Sequence, residues 1–589
     1  MRNHVFAFAL LIACALVNTA MAVEPATSDA ELQKFFRRYL DERFVMHPVE
    51  ATALGDHRFD ERLDDLSPEA LKRSLELLKT TRVKLRKEID RTKLSRDGQI
   101  DFEIFDHELR TAIWLRENTN PFSENPRLYN EYISDSVFLL LTQSRLPKET
   151  NVANAIARMK QIPRIISAAR QNLKRPPKAV LETAILQNKG SIGFYEKDIF
   201  EFVGESPQLP ALKAEAARAV PIIKEYQQFL EKELMPKATD EWRIGKRKFS
   251  KKLELVLNAD MSASDVLRDA KTEFKRVHAE MYVVARQLWS RYFAREPLPQ
   301  DDAEGKHATI ARVLGAVAKE HGKPEELVND ARTTVARIKE FIRERDIMRL
   351  PEPDRCQIIE MPEFQRGNSV AYMNGAPPLD PDAPTMYAIS PPAKDWDAKR
   401  VQSLLEEYNR HMLQILTIHE AYPGHYVQLD YGARVPSLIR RVMGSGVYVE
   451  GWAVYTEQMM LDQGYGERDL ALRLTQLKFY LRAVCNAILD HKLHCANMSD
   501  DEAMKLMVEG AFQSEQEARL KLVRAKQSSV QLSTYFTGRM AMVRLREGVQ
   551  RTLGDGFQLG RYHEAVLSQG AVPVKYLPEL VRGKLGVER

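Results

Sequence analysis

From about residue 29 to residue 345, apolar side chains recur at spacings of three and four with few interruptions, and this rhythm constrains the fold more than any other feature. Leu32, Phe35, Phe36, Tyr39 and Leu40 show it first, and Leu71, Leu75, Leu77, Leu78 and Val83 repeat it. Val266, Ala270, Phe274, Val277, Met281 and Val284 carry it over a longer stretch. Spacings of this kind line up on one side of a helix, and helices with one apolar side bury it against each other. Alternating β-branched runs are scarce, which disfavours a sheet-based core. Polar, proline-bearing stretches at 118–125, 295–305 and 350–353 read as loops.

The segment 351–392 breaks the rhythm. Nine prolines between Pro351 and Pro392 forbid a continuous helix. Within it, 356–361, 369–373 and 385–389 have the composition of short strands. Helical patterning returns at about Asp397 and runs to about 555, with a further helix near 560–568. The expectation is a mainly α fold with a small β-sheet near the active site, divided into a helical half at 23–345 and a metal-binding half at 346–589.

With 589 residues the chain is long enough for a large core. Its 87 Lys and Arg against 82 Asp and Glu leave a formal charge of only +5, too little over so large a surface to favour nucleic acid. Residues 1–22 read as a secretory signal: Arg2 and His4 precede the apolar run Val5 to Val17, and Ala20-Met21-Ala22 offers a cleavage site. The protein is therefore expected to be exported, to the periplasm or beyond. An alternative reading takes Leu11-Ile12-Ala13-Cys14 as a lipobox, in which case lipidated Cys14 tethers the protein to a membrane. The remaining cysteines, Cys356, Cys485 and Cys495, are odd in number and contain no Cys-x-x-Cys pair. Cys485 and Cys495 fall in one predicted helix, where ten residues rise ~15 Å, too far for a disulfide. Any metal must then use histidine and carboxylate ligands.

Those ligands are on offer in His419-Glu420-Ala-Tyr-Pro-Gly-His425. Zinc peptidases commonly carry two histidines four residues apart on one helical face, with a general-base glutamate between them. Here the spacing is six, which on an unbroken helix turns His425 roughly 120° from His419 and ~9 Å along the axis. Pro423 removes an N–H and Gly424 frees the backbone, so the helix can break and swing His425 back. An acidic third ligand is available in Glu450-Gly-Trp-Ala-Val-Tyr-Thr-Glu457, whose two carboxylates share a face in an apolar segment and need a partner there. Glu450 is taken as the ligand and Glu457 as its support. Two imidazoles and a carboxylate suit Zn²⁺.

Together with Tyr535-Phe-Thr-Gly538 and Tyr562-His-Glu-Ala-Val-Leu567, these motifs resemble the bacterial family known as domain of unknown function 885. The resemblance covers the chain from about residue 30 to the end. It implies a mostly helical fold similar to the gluzincin peptidases of the angiotensin-converting-enzyme and carboxypeptidase Taq type, with a deep channel between two halves that form one unit. It also implies metal roles for His419, His425 and Glu450 and the base role for Glu420. The family often has a second histidine after Pro-Gly-His, where this chain has Tyr426. Tyr535 and His563 are candidate donors to an oxyanion. His494 reads as a structural partner of Asp490, and Arg482, Arg524 and Arg546 as structural or solvated cations. The expected function is an exported zinc metallopeptidase acting on a peptide or small-amide substrate, with Glu420 as general base. The alternatives are a zinc hydrolase of non-peptide amides or esters, or a silent peptide-binding protein, the last disfavoured by the intact Glu420.

Overall fold

A computed structural model describes residues 27–361, 371–392 and 396–587. The expected signal segment, with Cys14, lies outside the described residues, as do Ser369 and Val370 of the second expected strand. The fold is mainly α, with one three-stranded sheet among the described residues. Helix starts are written in short polar side chains: Ser67 accepts the N–H of Ala70, Ser95 that of Gly98, and Ser262 forms a reciprocal capping box with Asp265. The last of these begins the longest helix, Ala263–Tyr292.

At the centre lies Leu470–Cys495, buried on every side rather than along one stripe. Ala263–Tyr292, Arg410–Glu420 and Thr534–Leu553 all pack on it. Cys485 and Cys495 sit in this one helix, and both are free, as is Cys356. Buried apolar residues form two clusters. The larger runs from Leu32 to Leu109 and again from Phe249 to Val581. The smaller joins Leu63 and Leu66 to residues between Tyr129 and Leu234. Polar contacts tie them: buried Arg158 donates to the Ser136 carbonyl and to the Thr52 hydroxyl, and Arg127 donates to Gln527 at 2.9 Å.

The proline-rich segment forms the sheet. Strand β1 is Cys356–Glu360, β2 is Ala371–Asn374 and β3 is Thr385–Ile389. Fully buried β3 is central, parallel to β1 in a register that begins at Cys356↔Thr385 and antiparallel to β2 from Ala371↔Ile389. The Tyr387 hydroxyl lies 3.2 Å from that of Thr417, which seats the sheet on the Arg410–Glu420 helix.

One expected stripe is corrected. The spacing of Leu405, Tyr408, Met412, Ile415 and His419 predicts one apolar stripe on a single helix after Asp397, but these residues do not share a helix. The first helix ends at Glu407, and Asn409 starts the next by accepting the N–H groups of His411 and Met412. The capping side chain outweighs the apolar spacing across it.

A very close helix crossing joins Gly446–Asp462 to Thr534–Leu553. A Cβ on Gly538 would lie 1.9 Å from the Val447 carbonyl oxygen, and one on Gly451 would lie 2.4 Å from Gly538 Cα. Backbone rests on backbone, and no side chain fits between. Gly538→Ala should therefore destabilise the fold by about 3 kcal/mol or more, because neither contacting atom is the end of a flexible side chain. Denaturant unfolding measures this, and a midpoint equal to the parent's would show that the crossing is looser than described.

Candidate metal centre

The Arg410–Glu420 helix stops where the sequence motif demands. Ala421 leaves helical dihedrals at φ −108° and ψ −87°, and a new helix, His425–Ala433, begins directly after Gly424. In this reversal a Cβ on Gly424 would lie 1.9 Å from the His419 carbonyl oxygen and 2.3 Å from that of Ile418. Only glycine lets the chain fold back so tightly on the helix end. The indole N–H of Trp452 donates to the Pro423 carbonyl at 2.9 Å, fixing the reversal to the Gly446–Asp462 helix.

The two histidines consequently meet edge to face, with ring centres 4.8 Å apart at 85°. Nε2 of His419 lies 3.9 Å, and Nε2 of His425 3.6 Å, from Oε2 of Glu450. One ligand atom from each of the three residues lies within 4.8 Å of the others. Around tetrahedral zinc, nitrogen and oxygen ligands at 2.0–2.2 Å are ~3.4 Å apart, so small side-chain adjustments bring the three to bonding distance. Glu450 and Glu457 leave the same face of their helix at two levels. Glu457, with no exposed surface, holds Nδ1 of His419 at 2.7 Å and so directs Nε2 toward Glu450. The ring of Phe479 backs His419 edge-on at 5.8 Å.

Electrostatics suit a cation. Burial pulls His419 down to about 3, aided by His425 and Arg482, so its imidazole is neutral and offers a lone pair. Burial pushes Glu457 well above the usual carboxylate range, against Arg482 and Arg539. Burial also lifts Glu420 to about 7, with His425 opposing, Glu450 adding and the Met373 N–H of β2 opposing. For Glu450, burial acts upward but is outweighed by its hydrogen bond to His425, by both imidazoles and by the Tyr535 hydroxyl, and the carboxyl stays low.

Tyr535 is thus brought to the site, in the first turn of the Thr534–Leu553 helix and just after a turn held under strain. Val530 adopts φ +74°, which a β-branched residue reaches only when its surroundings impose it. Buried Asp490 accepts the Val530 N–H at 2.9 Å and the Ser533 hydroxyl at 2.8 Å. His494 donates from Nε2 to the Ser528 carbonyl and stacks on Phe249. The expected His494–Asp490 pair is therefore two separate anchors for the turn before Tyr535. Arg524, exposed, donates to the Tyr535 hydroxyl at 3.1 Å and to Gln531 at 3.0 Å.

His563 is not brought to the site. It packs on Trp452 and Tyr455, roughly 200° and 140° around the helix from Glu450. Its Nδ1 donates to the Ile347 carbonyl, so Nε2 accepts from Tyr455 and has no proton to offer an oxyanion. Arg546 acts on Tyr455 on that far side, and Arg482 pairs with Glu517. The supports that sequence reasoning missed are Trp452, Phe479 and the glycine crossing. Only the glycines left a readable sign, one beside Glu450 and one three residues after Tyr535.

The sequence profile of a family described as bacterial protein of unknown function (DUF885) matches residues 48–581. The chain belongs to this family. Among solved structures, this DUF885 protein is similar to a candidate lipoprotein of unknown function from Shewanella oneidensis. The two share 31% identity over 93% of this chain and 98% of that one, with a TM-score of 0.76. A candidate lipoprotein from Colwellia psychrerythraea shares the fold at a TM-score of 0.78, with 19% identity over 95% of this chain and all of that one. No curated protein matches the DUF885 chain. No helix among the described residues is long and apolar enough to cross a membrane.

If the triad holds a metal, His419→Ala and His425→Ala should abolish retention, and Glu457→Gln should weaken it about 10–100-fold through His419 alone. Gly424→Ala, which removes no ligand, should lower both metal affinity and stability. Metal analysis of purified variants decides this, and full retention in both histidine variants would remove the assignment.

Proposed function

We propose that this protein is a zinc-dependent amide hydrolase that acts as a peptidase outside the cytoplasm. The observation that carries the reading is the convergence of His419, His425 and Glu450 with the carboxyl of Glu420 beside them. Two imidazoles, one kept neutral by burial, and one carboxylate form a zinc donor set, and these three residues would hold the ion. When bound, zinc supplies Lewis-acid polarisation of a carbonyl and acidifies water.

The chain's own groups account for the proton movements. Glu420 follows a ligand directly in sequence, keeps partial access to solvent, and feels the charges of His425 and Glu450. It is suited to hold the proton taken from the attacking water and to pass it to the leaving amine. The Met373 N–H of β2 is directed at the same carboxyl and orients it. Arg524 donates to the Tyr535 oxygen, which leaves the phenolic proton directed at Glu450, from where it can turn to an oxygen that gains charge as the carbonyl is attacked. His563, lacking a free donor, has no part in this step.

An extracytoplasmic location is supported by the N-terminal apolar run and by the lipoprotein description of the Shewanella relative. That description favours a tether at Cys14 over cleavage after Ala22. Hydrolysis of a non-peptide amide by the same groups is the second reading, since the triad makes no reference to the rest of the substrate.

Glu420→Gln should retain metal and fold but lose ~10²-fold or more in turnover, because the amide cannot accept the proton. Tyr535→Phe should lower kcat by ~10-fold or more with little change in KM. A library of peptides with free and blocked termini, assayed with and without chelator, supplies the substrates. Undiminished turnover in Glu420→Gln would exclude the base assignment, and chelator-resistant turnover would exclude the metal.

A further inference from the structure

Away from the metal centre lies a cleft of about 1390 Å³. It is formed by the Gly245–Leu257 helix, the start of Ala263–Tyr292, and residues from Arg96–Asn118 and the end of Leu470–Cys495. His491, on its wall, stands twelve residues along the central helix from Phe479, a rise of ~18 Å. The two sites are thus separate.

Its lining is basic, with seven Lys and Arg side chains against three carboxylates. Each carboxylate already has a cation: Glu254 pairs with Lys251 at 2.8 Å, Asp265 with Arg268 at 2.7 Å, and Asp260 with Lys575 at 3.9 Å. Arg110, Lys246, Arg247 and Lys271 remain with no anionic partner among the described residues, Arg110 touching only the neutral-capable Nδ1 of His107. Four uncompensated charges in one concavity contrast with a net charge of +5 for the whole chain. Two of them, Lys246 and Arg247, occupy the first turn of a helix, where the backbone dipole already presents positive charge. Nothing in the local fold rewards that placement, and it weakens the helix start unless an anion is near. Nδ1 of His491 is buried without a partner on the same wall. Met261, Leu267 and Ala263 are the apolar residues of the lining, while Ser250 and Ser264 add hydroxyls, that of Ser262 being engaged with Asp265.

We propose that this cleft binds two or more phosphate groups at once, carried by one soluble ligand or by adjacent lipid headgroups. Two phosphates carry roughly −3 to −4, which matches the four unanswered cations, whereas a single carboxylate answers one. Guanidinium and ammonium donors suit phosphate oxygens. The cleft is large enough for a complete bisphosphate or for clustered anionic headgroups.

The two sources of phosphate are separated by two probes on the full chain at about 50 mM salt, where screening is modest. Fructose bisphosphate, followed by titration calorimetry, reads a soluble ligand. Vesicles of phosphatidylcholine and phosphatidylglycerol, followed by co-sedimentation, read headgroups. At least one probe should bind, and Lys246→Glu with Arg247→Glu should weaken it ~10-fold or more. Lys87→Glu with Lys160→Glu, exposed elsewhere, makes the same change in net charge and should have under a third of that effect. His419→Ala should leave binding unchanged, because the metal centre takes no part. The proposal is overturned if neither probe binds, if both charge-reversed pairs lose affinity equally, or if His419→Ala abolishes binding.

Discussion

Two helices touch backbone to backbone at Gly451 and Gly538, and the candidate metal centre depends on that contact. Its effect is positional. Glu450 precedes one glycine and Tyr535 lies one turn before the other, so the crossing brings a carboxylate and a hydroxyl together from segments far apart in sequence. A side chain at either position would push the helices apart by about 1 Å or more, further than a hydrogen bond can stretch. The same helix carries Glu457 to His419 and Trp452 to the carbonyl of Pro423, so one rigid element sets Glu450, the orientation of His419 and the shape of the loop that carries His425.

Around this crossing, buried polar groups are spent on positioning. Glu457 is shut from solvent and shares its proton chemistry with His419, a costly arrangement in an apolar helix unless a cation lies beyond the imidazole. Asp490 is likewise buried, and its two hydrogen bonds keep Val530 in a conformation that valine avoids. A relaxed turn would start the Thr534–Leu553 helix at another angle and move Tyr535. Strain at Val530 and tight reversal at Gly424 flank the site from two sides, as expected where geometry is held for function rather than for stability. The basic cleft follows a different logic. There, four cations stand unanswered, and charge rather than backbone geometry is left uncompensated.

Much of this was legible in the chain. The three-and-four rhythm determined a helical protein, because that spacing can bury apolar surface only on helices. Clustered prolines determined where helix had to yield to a sheet. A spacing of six between His419 and His425 required a break, and Pro-Gly named its place. Seven residues between Glu450 and Glu457 put both on one face, whatever packed there. The missed boundary at Asn409 was also local, and its capping side chain could have been read.

Other outcomes belong to the tertiary structure alone. His563 lies in a motif as specific as that of Tyr535, yet it faces the rear of the Gly446–Asp462 helix with both nitrogens engaged, because helix packing chooses which side of a motif meets the site. His494 and Asp490, four apart on one helix, look like partners, but each found a better one in the turn at Ser528–Ser533. The basic cleft draws its cations from segments between Arg110 and Lys575, with no signature at any one of them. Periodicity and spacing act within one element and are written in sequence. Which faces of distant elements meet is decided by packing over the whole core, and that is where His419, His425 and Glu450 came together and the charges gathered.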